Sequence, residues 1–197
     1  MDYMKILTDI AQENGGIITT KIAEGKGISR AMLSKMFKEE KIHRIAKGQY
    51  ILEEELQDEM LSISKRSEYV IFSHETALFL HAISDRTPFE HTITAPSGIV
   101  PSAMIRTECK VYYIKPELFE LGKTEMKTPA GNLVPVYDLE RTICDAIRSR
   151  SRIGTETFLA ALKAYADSPK KDLNKLYQYA KQLRVSKVLR QYLEVLL

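Results

Sequence analysis

Apolar residues recur at helical spacing at Tyr3, Ile6, Leu7, Ile10 and Ala11, which predicts an amphipathic helix over 2–14. Asp2 is placed to cap its start. Gly15-Gly16 ends it, because glycine enters the left-handed conformation without a Cβ clash. Ile17-Ile18 reads as a short apolar link. Thr19 or Thr20 caps a second short helix through Glu24, and Gly25-Lys26-Gly27 makes a turn. Ser29 caps a third helix, Arg30 to Lys41, with Met32, Leu33, Met36 and Phe37 as its apolar stripe. Its other face carries Arg30, Ser34, Lys35, Lys38 and Lys41. A short helix, a glycine turn and a helix with a basic polar face form the helix-turn-helix pattern. Two strands follow, Ile42–Ile45 and Gln49–Leu52, around the turn Ala46-Lys47-Gly48. This hairpin reads as a wing beside the third helix, so residues 1–52 are expected to be a winged helix-turn-helix domain.

The pattern then changes. Residues 53–69 open on Glu53-Glu54-Glu55 and read as an acidic linker or helix, with Met60, Leu61 and Ile63 partly buried. From residue 70 to 197 short strands come first and helices afterwards, which predicts a mixed α+β domain ending in helices. Val70–Phe72, Thr92–Ala95, Val111–Ile114 and Val134–Tyr137 are the strands. Ser73 is expected to cap a helix ending near Ser84, Asp138 one running to Arg148, Thr155 another, and Ser168-Pro169 to start the next. Thr128 to Asn132 is a turn. Val188, Leu189, Tyr192, Leu193 and Leu196 mark a last helix.

Charge changes the picture more by its distribution than by its net value of +3. Residues 1–52 hold nine Lys/Arg against six Asp/Glu, 53–140 eight against fifteen, and 141–190 twelve against four. Two basic regions flank an acidic middle, as expected of a partner that is a polyanion touching the ends. In the first domain the third helix would enter the major groove of double-stranded DNA. Ser29, Arg30 and Ser34 lie in its N-terminal half, where base edges are contacted, and Arg30 suits a bidentate contact with guanine. Lys35, Lys38, Lys41 and Lys47 read as phosphate neutralisers, and Arg44 and Lys47 on the hairpin would reach the phosphate backbone or the minor groove beside the helix. Further along, Arg148, Arg150 and Arg152 cluster at a helix end, and Lys181, Arg184, Lys187 and Arg190 extend the basic character. They are candidates for additional DNA or partner contacts, or form a solvated helix face.

Cys109 and Cys144 sit in apolar settings and read as reduced structural thiols. No run approaches the length of a membrane span, so a cytoplasmic protein without membrane partners is expected. His74 and His81 stand seven apart, too far for a helical metal pair, and read with His91 as core or partner-facing residues. Glu108-Cys109-Lys110 and Glu125-Met126-Lys127 match the minimal E-x-K of some nucleases, with Asp85 as the conceivable upstream carboxylate, but a fragment is not a constellation. There is no phosphate-binding loop, dinucleotide fingerprint or nucleophile elbow. No metal, cofactor or catalytic residue is expected.

The N-terminal pattern, Ser73 to His81 (SHETALFLH), Thr92 to Pro96 (TITAP) and Val136 to Asp145 (VYDLERTICD) together resemble AbiEi antitoxins of bacterial abortive-infection, type IV toxin–antitoxin systems. The resemblance spans the chain in order. It implies an N-terminal domain that represses its own operon by binding promoter inverted repeats. It also implies a C-terminal domain that neutralises a nucleotidyltransferase toxin, directly or indirectly, in phage defence. With no heptad or long apolar helix visible, the expectation is a monomer that binds the repeats cooperatively. The alternatives are a plain winged-helix regulator whose second domain senses a ligand or oligomerises, and a DNA-targeted nuclease.

Overall fold

Asp2 starts the first helix, α1 (Tyr3–Glu13), by accepting from the Lys5 amide at 3.2 Å. The structure, a computed structural model, describes residues 2–53, 57–84 and 86–196, and only the backbone of 193–196. Glu54, Glu55 and Asp85 and the side chains of Leu193 and Leu196 therefore lie outside the described residues. The chain forms two compact units, Met1–Arg66 with Thr128–Asn132, and Ser67–Lys127 with Leu133–Leu197.

In the first unit Ile17-Ile18 is not merely a link. Ile18–Thr19 forms a short strand, β1, because the fully buried Ile18 is β-branched and pairs with Tyr50. Thr19 caps α2 (Thr20–Gly25) and Ser29 caps α3 (Arg30–Lys38), each accepting from the amide three residues on. The hairpin β2 (Ile42–Ala46) and β3 (Gln49–Leu52) completes an antiparallel sheet in the order β1-β3-β2. Gly48 at φ 74° makes its turn, and the register shifts between Arg44 and Ala46. Leu7, Ile10, Ile18, Ile28, Leu33 and Ile42 fill the core between helices and sheet.

Two expectations for α3 change. The helix stops at Lys38, three residues short of Lys41, because Glu40 turns left-handed at φ 59°. There the Glu40 amide bonds Phe37 O and the Lys41 amide bonds Met36 O, the hydrogen bonds of a Schellman end. Phe37 does not join the buried stripe: it is 44% exposed and packs against the Tyr50 ring at 6.5 Å.

Residues 59–64 form a helix, α4 (Glu59–Ser64), capped by Asp58. Met60, Leu61 and Ile63 are buried rather than partly so. Buried Gln49 and Ser62 exchange two hydrogen bonds, which tie α4 to β3. Asp58 also accepts from Thr128 Oγ1 at 2.6 Å and Asn132 Nδ2 at 2.9 Å, bringing that turn into the first unit. Gly15 is required there: it stands at φ 65°, and a Cβ on it would meet Asn132 Oδ1 at 2.2 Å.

The second unit is mixed α+β and ends in helices. Its strands are β4 (Ile71–Phe72), β5 (His91–Pro96), β6 (Cys109–Ile114), β7 (Lys123–Lys127) and β8 (Leu133–Tyr137). They form one sheet in the order β6-β5-β4-β8-β7, with parallel β5–β6 and β4–β8 pairs. The helices are α5 (His74–Leu80), α6 (Ala103–Glu108), α7 (Leu139–Arg148), α8 (Thr155–Asp167), α9 (Leu173–Gln182) and α10 (Ser186–Leu196). Ile71, Leu78, Tyr137, Ile143, Phe158, Tyr165, Leu176 and Leu189 belong to one core.

Several caps differ from expectation. Ser73 occupies the N-cap of α5 but does not cap it, since its Oγ accepts from Thr94 Oγ1 and lies 2.9 Å from His74 Nδ1. Gly154, not Thr155, precedes α8. Ser168 ends α8 rather than starting α9, and Asp172 caps α9 by accepting from the Lys175 amide. The α7 helix is buried well beyond its apolar stripe, with Glu140, Arg141, Thr142 and Asp145 all inside.

Candidate nucleic-acid interface

With Leu33 and Met36 turned into the core, α3 leaves Arg30, Ser34, Lys35 and Lys38 exposed. Ser29 is also exposed, but its Oγ is already committed to the cap, accepting from the Met32 amide at 3.2 Å. Arg30, whose side chain is 78% exposed, is held by Glu24 of α2 through two hydrogen bonds, Nε to Oε1 at 2.8 Å and Nη2 to Oε2 at 3.3 Å. Hydrogen bonding to Glu24 and its negative charge raise the arginine above its ordinary value. Since Glu24 takes Nε and one Nη2 proton, the Nη1–Nη2 edge remains as a fork of donors.

The lysines divide into two groups. Lys35 and Lys41 share Glu39, at 3.8 and 2.7 Å, and the hydrogen bond from Lys41 pulls the Glu39 carboxyl below its ordinary value. Lys41 lies past the helix end, between α3 and β2. Lys38 and Lys47 have no carboxylate within ion-pair distance among the described residues. Arg44 is exposed on β2, and its Nε donates to Ala46 O at 3.3 Å.

Arg30, Arg44 and Lys47 come together. They line a cleft of about 420 Å³ between α3 and the hairpin, whose other walls are Thr20, Leu33, Gly48 and Tyr50. The backbone of α2 meets the hairpin turn here, with the Thr20 amide donating to Gly48 O at 2.9 Å. Helix, cleft and turn thus present cations over an apolar floor, which suits a phosphate backbone followed along a groove. Charges counted along one helix do not reveal Glu24. A carboxylate six residues before Arg30 reaches it only once the Gly25–Gly27 turn folds α2 back.

The C-terminal cations have different partners. Arg148 pairs with Asp145 at 3.5 Å, Arg150 donates to Ile147 O at 3.1 Å, and Arg152 lies over the Tyr112 ring at 4.2 Å. Lys181, Arg184, Lys187 and Arg190 are exposed.

The histidine and E-x-K residues have defined surroundings. His74 is fully buried at φ 47° and stacks on Tyr112 at 3.5 Å, with ring nitrogens 2.9 and 3.0 Å from Ser73 and Ser149 Oγ. Burial and the nearby Arg148, Arg152, Arg141 and Lys110 hold it well below the ordinary histidine value. His81 Nε2 lies 2.8 Å from Tyr137 O. Lys110 is bonded to Glu75 and Arg152 O, and Glu125 and Lys127 are exposed on β7. Among the described residues no three metal-ligating side chains converge, and no helix is long and apolar enough to cross a membrane.

No known family model and no curated protein sequence matches the chain. Among solved structures it is similar to the crystal structure of the RV2827C protein from Mycobacterium tuberculosis. The TM-score is 0.64 at 14% identity, over 92% of this chain and 72% of that one. At that identity the likeness is one of fold.

Proposed function

We propose that this protein is a DNA-binding antitoxin and autorepressor, with a winged helix-turn-helix formed by α1 to β3. The observation that carries the DNA half is the cleft between α3 and the hairpin, where Arg30, Arg44 and Lys47 converge beside the exposed face of α3. In this reading α3 enters the major groove and Arg30 reads a guanine with its free edge. Ser34 lies beside it on the same face, and Lys38, Arg44 and Lys47 neutralise phosphates. Copies bind inverted repeats cooperatively in the promoter of the operon.

The antitoxin half rests on the AbiEi-like segments, which fall on α5, β5 and the β8–α7 junction. In this reading the second unit neutralises a nucleotidyltransferase toxin. It acts in the cytoplasm and performs no covalent chemistry of its own.

One experiment separates the two halves. The full chain and a Lys38→Gln/Lys47→Gln variant are assayed for footprinting on DNA upstream of the gene and for rescue of growth arrested by the toxin gene beside it. The expected result is that the variant loses the footprint and keeps the rescue. No rescue by the unaltered chain leaves a plain regulator, and no footprint by the unaltered chain removes the DNA reading.

A further inference from the structure

Arg148, from the cluster at the end of α7, and Arg184, from the basic stretch further along, meet at one cavity. A cavity of about 390 Å³ in the second unit is lined by Lys115 after β6, Arg148 in the last turn of α7, and Gln182 and Arg184 where α9 ends. Ser97 and the half-exposed ring of Tyr113 form another part of its wall. The cavity has one carboxylate, Glu117, which lies 3.8 Å from Lys115, and both side chains are 66% exposed.

Behind the cavity the buried Arg148 Nε lies 3.5 Å from Asp145 Oδ1, an ion pair without a hydrogen bond, and the other oxygen of wholly buried Asp145 accepts from Arg141 Nε. The accessible part of the Arg148 side chain, 28%, is therefore not the part that pairs. A buried carboxylate behind the side chain favours one placement of the guanidinium, and preorganised donors are what a binding site requires. Arg184 stands at the left-handed residue that closes α9, φ 59°, and is exposed. Among the described residues it has no carboxylate within ion-pair distance. Cations near helix C-termini often serve as caps, but neither Arg148 nor Arg184 donates a side-chain hydrogen bond to a terminal carbonyl among the described residues.

Three cations from three elements facing one carboxylate, with two neutral donors beside them, fit an anion of more than one charge. The volume is in the range of small-molecule sites. The Tyr113 ring adds a flat apolar surface that inorganic phosphate does not need and a base does. We propose that this cavity binds a nucleoside polyphosphate: Arg148, Arg184 and Lys115 hold phosphate oxygens, Ser97 and Gln182 donate to them, and Tyr113 stacks on the base. The site is separate from the cleft of the first unit, and the proposal does not rest on the DNA or antitoxin reading.

The test is isothermal titration of the full chain with ATP, GTP, pyrophosphate and adenosine. Both triphosphates and pyrophosphate are expected to bind and adenosine is not. Arg184→Gln should weaken all three by about tenfold or more, since each lost contact is a charge-assisted hydrogen bond, and Lys115→Gln should act in the same direction. These two exposed residues carry the test, because Arg148→Gln also strips a partner from buried Asp145. Tyr113→Ala should weaken the triphosphates and leave pyrophosphate unchanged. Lys47→Gln, in the other cationic cleft, should change nothing. The proposal is overturned by no binding of triphosphate, by binding indifferent to Arg184→Gln and Lys115→Gln, or by triphosphate binding unchanged in Tyr113→Ala.

Discussion

Arg141 and Asp145 stand one turn apart on α7 with both side chains wholly excluded from solvent, joined Nε to Oδ2 at 2.9 Å. Arg141 Nη1 also donates to Leu118 O and Leu121 O, and its guanidinium lies 4.0 Å from the centre of the Tyr137 ring. The pair therefore nails the loop before β7 onto α7. Gly122 completes the fit: it is left-handed at φ 76°, and a Cβ there would stand 2.6 Å from Arg141 Cβ.

Breaking such a pair leaves a buried charge without compensation. Arg141→Met and Asp145→Leu should each cost about 3–5 kcal/mol, whereas replacing both partners by these apolar residues should cost less than the sum. Urea unfolding of the two single variants and of Arg141→Met/Asp145→Leu measures this as a double-mutant cycle. Additive losses would mean that the pair contributes nothing as a pair.

His74 makes stability depend on pH in a stated direction. Burial, with Arg148, Arg152, Arg141 and Lys110 around it, keeps the ring neutral in the folded chain well below the ordinary histidine value. The unfolded chain takes up a proton near pH 6.5, so below that pH the unfolded state binds more protons. Stability is then complete above about pH 6.5 and falls as the pH drops, by about 1.4 kcal/mol per unit for each such histidine. His81, also lowered chiefly by burial, adds in the same sense. His74→Asn, which tolerates the left-handed backbone, should flatten the slope by about one proton. An unchanged slope in urea titrations between pH 5 and 6.5 would remove His74 from the account.

Much of this architecture was legible in the sequence, and the misses have a common physical cause. Helix ends were readable where a glycine supplied the left-handed residue, at Gly15 after α1 and Gly27 after α2. Three other helices end with the same pair of backbone hydrogen bonds around a residue that has a Cβ: Glu40, Ala82 and Arg184. Nothing in their chemistry signals a stop, so the sequence pattern carries α3 on to Lys41 and α5 to near Ser84. The strand β7 escaped because KTEMK is an exposed, charged edge strand with no apolar alternation. The buried polar side of α7 escaped because periodicity registers apolar residues and not paired charges. Within the candidate interface the cations could be read along the chain, but Glu24 and the meeting of Arg30 with Arg44 and Lys47 depend on how α2 and the hairpin fold against α3.

Those three ends also give a direct test. Ala82 is exposed, so its methyl group buries little and only strains a backbone at φ 55°. Ala82→Gly should stabilise the protein by about 1 kcal/mol by relieving the left-handed penalty, and Ala82→Val should destabilise it. Thermal unfolding of the two variants checks the order. A lower midpoint for the glycine variant would show that unfolded-chain entropy outweighs the strain.

The Glu24–Arg30 pair gives the interface its sharpest prediction. Glu24 carries negative charge on a surface proposed to meet phosphates, so by Coulomb repulsion alone it weakens every DNA complex. Its compensating role, on this geometry, is to hold the guanidinium so that the free edge meets one base. Glu24→Gln should therefore raise affinity for unrelated DNA and lower the preference for the operator over an operator changed at the guanine that Arg30 is proposed to read. A well-placed bidentate contact supplies about 1–3 kcal/mol of that preference. Lys47→Gln should behave differently. It should weaken binding to all sequences alike and reduce the slope of log affinity against log salt by about 0.9. Competition binding at several salt concentrations separates the two effects. If Glu24→Gln strengthens operator and unrelated DNA equally, the carboxylate is only a repelling charge, and base reading by Arg30 does not need it.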